Sequence, residues 1–221
     1  MSDSFTRSEL LSKYRIAPQD ATTRLFLKYY TIKKDAKVLV LNSFANNIPA
    51  ILADKGCSVV AVDNRKPSIS PPDSEGGSYK KVARPYSKLE ASREGFDVIT
   101  CFHTLQFYKT GWFSEEKDYS AHEVLVRVLA KSLRRNGLLF LSLPVGHGHS
   151  DAPEMRVFSA EGLKGLGLDS LKCIELLYAR SCYPQSGGHD SSVKILTEAE
   201  VNDPENTLPS EMFCIYKKVG K

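Results

Sequence analysis

Two hydrophobic signatures alternate along most of the chain. The runs VLVLNSF, CSVVAVD, FDVITCF and LLFLSLPVG are apolar without a polar face, as strands covered on both sides of a parallel sheet are. Between them lie stretches with helical spacing. SFTRSELLSKY and PQDATTRLFLKYYTI fill residues 4–32, with Leu25, Phe26 and Tyr29 on one face and a break at Pro18. NIPAILADKG reads as a short helix closed by Gly56, and SKLEASREG as another helix. SAHEVLVRVLAKSLRRNG is amphipathic, with Val124, Leu125, Val128, Leu129 and Leu133 on one face and Asn136-Gly137 as its stop. SAEGLKGLGL opens on Ser159 as N-cap, with Glu161 in its first turn.

Strands alternating with helices imply an α/β, doubly wound, mostly parallel sheet. VARPY is expected as a short third strand. LKCIELLYAR and EMFCIYKKV follow near the end without a clear helix between them, which predicts an antiparallel C-terminal edge hairpin. The Pro-, Ser- and Gly-rich segment 64–80 reads as a surface loop, because the strand–helix pattern resumes beyond it. The chain therefore reads as one domain over 1–221, with N-terminal helices at 1–35 and a Rossmann-like core at 36–221.

Composition narrows the picture little. The 221 residues carry a formal net charge of +4, and the longest basic runs are pairs (Lys33–Lys34, Lys80–Lys81, Arg134–Arg135). That balance makes nucleic acid an unfavoured partner without excluding it. No run approaches the roughly 20 apolar residues of a membrane helix, and MSDSFTRSELL lacks the apolar core of a secretory signal. The five cysteines stand singly, with no CxxC pair, so a reducing, cytoplasmic setting is expected.

Three stretches, VLVLNSFANNIPAILADKGCSVVAVD, FDVITCFHTLQF and LAKSLRRNGLLFLSLPVG, together with the terminal MFCIYKKV, resemble the class I S-adenosylmethionine-dependent methyltransferases from about Lys37 onward. GLLFLSLPVG with RVFS after it also resembles a small methyltransferase-like family that includes sugar- and glycan-modifying enzymes. The resemblance implies a seven-stranded Rossmann-like sheet, S-adenosylmethionine as cofactor, and a small-molecule or glycan acceptor.

In such sheets ligands sit at the carboxyl ends of the strands. That places the turn Asn42, Ser43, Phe44, Ala45 and Asn46 around the cofactor, together with Asp63 and Asn64 after the second strand, and Phe102, His103 and Thr104 after the fourth. Asp63 is read as accepting from a ribose diol, or else as a turn residue in VDNR. The turn NSFANN has no glycine. Asparagine tolerates left-handed backbone, so Asn42 and Asn46 are expected to preserve its geometry, while Phe44 either covers the cofactor or fills its place. A sulfonium cofactor without a pyrophosphate tolerates such a loop better than NAD does. Tyr86 and Ser87 stand where the family often has an acid near the adenine.

For a hydroxyl acceptor, methyl transfer needs alignment and a base. His103, His147 and Asp118 are the leading candidates, with His122 and His149 beside them. Asp118 and His122 are spaced to share a helix face, and HGHSD has the donor types of a divalent-metal site, although no metal set is assigned. Tyr108, Trp112, Phe113 and Tyr119 suit stacking on a sugar or base, or packing on the core, and Arg156 is expected as a cation for substrate. The leading function is O-methylation of a sugar or glycan hydroxyl. A catalytically inactive binding or scaffold protein and an RNA methyltransferase are the alternatives. Oligomeric state is not legible.

Overall fold

The computed structural model describes residues 21–42, 47–64, 79–110, 116–118, 120–146, 150–152, 155–159, 162–163, 166–182, 192–203 and 210–219. In chain order they form α1 (Ala21–Tyr29), β1 (Lys37–Leu41), α2 (Ile48–Asp54), β2 (Ser58–Asp63), β3 (Tyr79–Ala83), a 3-10 turn (Tyr86–Lys88), β4 (Phe96–Phe102) and α3 (Ala121–Ser132). Then come β5 (Leu133–Val145), a small hairpin of β6 (Ser150–Ala152) and β7 (Met155–Val157), β8 (Leu171–Cys182), β9 (Ser192–Leu196), α4 (Glu198–Asn202) and β10 (Ser210–Lys218).

The main sheet has the order β3-β2-β1-β4-β5-β10-β8-β9. From β3 to β5 it is parallel. Strand β10 runs antiparallel to both β5 and β8, and β9 antiparallel to β8. The doubly wound expectation holds, with two adjustments. Among the described residues the sheet has eight strands instead of seven, and the C-terminal strand is no edge strand but is inserted between β5 and β8.

Alternating residues of each buried strand face opposite cores, as the period of two requires. Val38 and Val40 join Leu25 and Phe26 of α1 and Ile48 and Leu52 of α2 on one face. Leu39 and Leu41 join Leu125 and Leu129 of α3 and Val201 of α4 on the other. Free thiols Cys57, Cys101 and Cys214 are buried in these layers, and burial pushes Cys57 up to about 11 and Cys101 up to about 12, which makes both poor nucleophiles.

Three local expectations are corrected. SKLEASREG is a 3-10 turn followed by irregular backbone. Leu89 is the only apolar side chain of real size in that stretch, so a helix would have had no stripe to bury. Without it, an apolar groove of about 290 Å³ opens between β1–β3 and α3, lined among others by Leu39, Val60, Val62, Val82 and Leu129. The helix of SAHEVLVRVLAKSLRRNG stops at Ser132, and Asn136 (φ 64) lies within β5, at an irregularity in its pairing with β4. Val124 is 58% exposed, so the buried face of α3 is carried by Ala121, Leu125, Val126, Leu129 and Ala130.

The Gly56 cap is as expected. Gly56 (φ 80) donates its N–H to the Ala53 carbonyl at 2.8 Å, and Cys57 donates to Leu52 at 3.0 Å. The segment VKILTEAEV, given no element in advance, forms β9 and α4, joined by a capping box in which Thr197 and Glu200 bond reciprocally. The side chain of Ser159 accepts from the Gly162 N–H at 3.1 Å, the bond expected of an N-cap.

Candidate functional site

The carboxyl ends of β1, β2 and β4 form one rim, and Asn42 knits it together. Leaving β1, the chain turns left-handed at once, at Asn42 (φ 54). The Asn42 N–H donates to the Tyr86 hydroxyl at 3.0 Å. Its side-chain amide donates to the carbonyls of Phe102 and His103, at 3.2 and 3.3 Å. A glycine would supply the backbone angle but none of the two amide bonds. Asparagine therefore replaces glycine here and adds a clamp between two strand exits. Ser43, Phe44, Ala45 and Asn46 lie outside the described residues, so the question of Phe44 stays with them.

Asp63 ends β2 fully buried, and its carbonyl accepts from the Arg84 N–H at 3.0 Å. Asn64 follows it, half-buried. Of the pair in the β3 exit, Tyr86 points inward, 2% exposed and edge-to-face with Tyr108 at 6.1 Å, whereas Ser87 is exposed. The departure from an acid at this exit thus has a structural role: a tyrosine hydroxyl receives the backbone of the β1 loop.

Around β4 the expected trio divides. The Phe102 ring packs in the core against Phe26 (6.0 Å) and Phe213 (5.8 Å), and only its carbonyl reaches the rim. Thr104 is 2% exposed and donates to that same carbonyl at 3.0 Å. His103 alone presents its side chain, 42% exposed, on a left-handed backbone (φ 49), with its N–H donating to Ser142 Oγ at 3.3 Å. Its Nε2 lies 3.1 Å from Thr22 Oγ1 and 3.2 Å from Glu211 Oε1, and Thr22 donates its hydroxyl to Glu211.

Sequence reading missed Thr22 and Glu211. Thr22 sits on α1, in a segment read only for its apolar face. Glu211 opens β10, opposite Pro144 of β5, and reaches the rim because β10 runs antiparallel.

Asp118 and His122 do not converge. The Asp118 carboxylate accepts from the N–H and hydroxyl of Ser120, at 3.0 and 2.8 Å, closing the turn into α3. Those bonds to Ser120 hold its carboxyl below the usual range. His122 points the other way, its Nδ1 accepting from Arg156 Nη1 at 2.7 Å, and its ring meeting Phe158 edge-on at 5.7 Å. Arg156, expected as a cation for substrate, is instead 1% exposed. Tyr108, expected on a sugar or base, is 4% exposed in the core. His147, His149, Trp112, Phe113 and Tyr119 lie outside the described residues. Among the described residues no cluster of three or more His, Cys, Asp or Glu side chains is set to hold a metal ion, and no helix is long and apolar enough to cross a membrane.

No family model matches the chain, and no curated protein does. Solved structures match by shape. An S-adenosylmethionine-dependent methyltransferase from Methanosarcina mazei superposes with a TM-score of 0.58 at 13% identity, covering 89% of this chain and 98% of that one. The N-methyltransferase NodS from Bradyrhizobium japonicum WM9, in complex with S-adenosyl-L-homocysteine, gives 0.53 at 14% identity, covering 93% of this chain and 90% of its own. The [4+2]-cyclase SpnF gives 0.59 at 12%, covering 90% and 80%. A cyclase among these neighbours means that shape alone does not fix the chemistry. What the likeness does establish is architecture: this chain has the Rossmann-like fold of the class I S-adenosylmethionine-dependent methyltransferases.

Proposed function

We propose that the chain is an S-adenosylmethionine-dependent methyltransferase, with the cofactor at the rim formed by the exits of β1, β2 and β4. The observation that carries this reading is Asn42. A left-handed residue directly after β1 is what the cofactor turn of this fold needs, and here a non-glycine residue adopts it under three hydrogen bonds. In this reading Asp63 and Asn64, at the exit of β2, meet the ribose. Of the three leading candidates for a base, His103 stands at this rim, Asp118 closes a surface turn, and His147 lies outside the described residues.

The acceptor we propose is a sugar or glycan hydroxyl. It rests on the resemblance of GLLFLSLPVG and RVFS alone, because Tyr108 belongs to the core. A non-catalytic binding protein is the second reading, favoured by the complete burial of Asp63.

Calorimetry with S-adenosylmethionine and S-adenosylhomocysteine separates the two. Binding in the micromolar range, weakened in Asp63→Ala, is the expected result. No heat and no thermal shift at millimolar cofactor would overturn the enzymatic reading.

A further inference from the structure

Counting protons around His103 fixes which of its ring nitrogens is basic. Thr22 has one hydroxyl hydrogen, and it is donated to Glu211. Toward the ring, Thr22 Oγ1 therefore offers only a lone pair. Glu211 Oε1, the other neighbour of Nε2, is a carboxylate oxygen and also accepts. Both atoms facing Nε2 are acceptors, so Nε2 carries a hydrogen, and in the neutral ring the lone pair is therefore on Nδ1. Among the described residues no hydrogen bond reaches Nδ1, and the side chain is 42% exposed at the rim.

The backbone of the histidine is fixed as firmly as its tautomer. Its N–H donates to Ser142, and its carbonyl accepts from Asn42, the residue that shapes the β1 exit. The base and the proposed cofactor turn are thus positioned by one side chain.

We propose that His103 is the general base of the reaction, acting through Nδ1, with Glu211 and Thr22 as positioning residues, and that the acceptor is a protic O–H or N–H group. This rests on the methyltransferase reading above. In the step, the acceptor's O–H or N–H bond gives its proton to Nδ1. The acceptor atom bonds to the methyl carbon of the sulfonium donor, and the carbon–sulfur pair stays on sulfur as the thioether. The imidazolium so formed is neutralised by Glu211 across Nε2–H. An acceptor without a dissociable proton would have no use for this arrangement. Thr22 also brings α1 into the site, so a helix outside the βα core takes part in positioning the base.

The test uses the full chain labelled with ¹⁵N-histidine. Long-range ¹H–¹⁵N spectra near neutral pH are expected to show His103 as the Nε2–H tautomer, with a ring N–H proton protected from solvent exchange. Glu211→Gln keeps an acceptor oxygen and is expected to retain that proton. Glu211→Leu removes it and is expected to abolish the signal, with folding confirmed by the rest of the spectrum. In parallel, diethylpyrocarbonate is expected to acylate His103, about a hundredfold more slowly when S-adenosylhomocysteine is present at 100 times its Kd.

An Nδ1–H tautomer, or acylation unslowed by bound S-adenosylhomocysteine, overturns this assignment while leaving the methyltransferase reading standing. Absence of S-adenosylhomocysteine binding in calorimetry overturns the reading itself, whatever the tautomer.

Discussion

The two rims of the parallel sheet solve the same backbone problem with different residues. On the amino rim, β1, β2, β4 and the paired core of β5 are each entered just after a left-handed residue: Asp35, Gly56, Gly95 and Asn136. On the carboxyl rim, β1 and β4 are each left through one, Asn42 and His103. Among these left-handed positions the glycines, Gly56 and Gly95, stand at entrances. A Cβ at Gly95 would stand 2.7 Å from Arg134 Cγ, and one at Gly56 3.0 Å from Lys34 Cγ.

Around those entrances the fastening is ionic and half-exposed. Arg134 Nη1 spans both oxygens of Asp97 at 3.1 Å, and Asp97 also accepts from the Lys37 N–H at 2.8 Å. Around the exits neutral bonds join buried groups of Asn42, Tyr86 and Phe102, beside the contact of His103 and Thr22 with the Glu211 carboxylate. One rim holds the sheet together in a way that salt weakens. The other stores left-handed backbone where side chains are needed for a site.

The sharpest way to break this contrast is at Asn42. Asn42→Ala keeps a disfavoured backbone angle and loses two amide bonds, and is expected to cost about 2–4 kcal/mol in denaturant unfolding. Asn42→Gly is expected to cost about 1 kcal/mol less, because only the bonds are lost. Both are expected to weaken S-adenosylhomocysteine binding. Equal stabilities for the two variants would remove the case for stored backbone strain.

On the opposite rim, Gly95→Ala is expected to destabilise by about 1–2 kcal/mol, through its φ of 70 and the crowding by Arg134, with cofactor affinity unchanged. Tyr86→Phe is expected next, at about 1–2 kcal/mol, since the Asn42 N–H loses a buried acceptor. Asp97→Asn is expected to cost under about 1 kcal/mol, and the loss is expected to shrink at high salt because Arg134 and Asp97 are about 40% exposed. A salt-insensitive loss there would mean that the amino rim is not fastened by charge.

The smallest effect is expected outside both rims, at the α4 cap. Lys194 and Thr197 hold the Glu200 carboxyl down at about 2, against an ordinary 4.5. A depressed folded value stabilises above the ordinary one, so this contribution is complete above about pH 4.5 and lost as pH falls toward 2. Glu200→Gln is expected to flatten that part of the acid-unfolding curve, with a small loss of stability above about pH 4.5 that vanishes toward pH 2.

Much of the carboxyl rim was legible because its backbone requirements are local. Asn42 was identifiable from its tolerance of left-handed angles, and Gly56 from its place after an apolar helix. The capping box Thr197-Glu198-Ala199-Glu200 is equally local, since T-x-x-E is its signature. Long-range placement was not legible. Thr22 and Glu211 lie 189 residues apart and meet only because β10 enters the sheet antiparallel. Phe102 is expected beside the cofactor as a residue of the β4 exit, and the parity along β4 puts its ring with Val98 in the α1 core, leaving its carbonyl at the rim. Asp118 and His122 have helical spacing, but α3 begins only at Ala121, so the spacing never acts.

The insertion of β10 also sets an order of events. Strands β8 and β9 cannot join the sheet directly, because the place beside β5 belongs to a strand that leaves the ribosome after them. The half formed by β1 to β5 can assemble while synthesis continues, but the apolar side chains of Leu141, Leu143 and Tyr178 wait for Met212 and Cys214 to arrive between them. Completion of the sheet therefore waits for β10, docking alone or already paired with β8, and these non-local pairings are expected to be slow by their contact order.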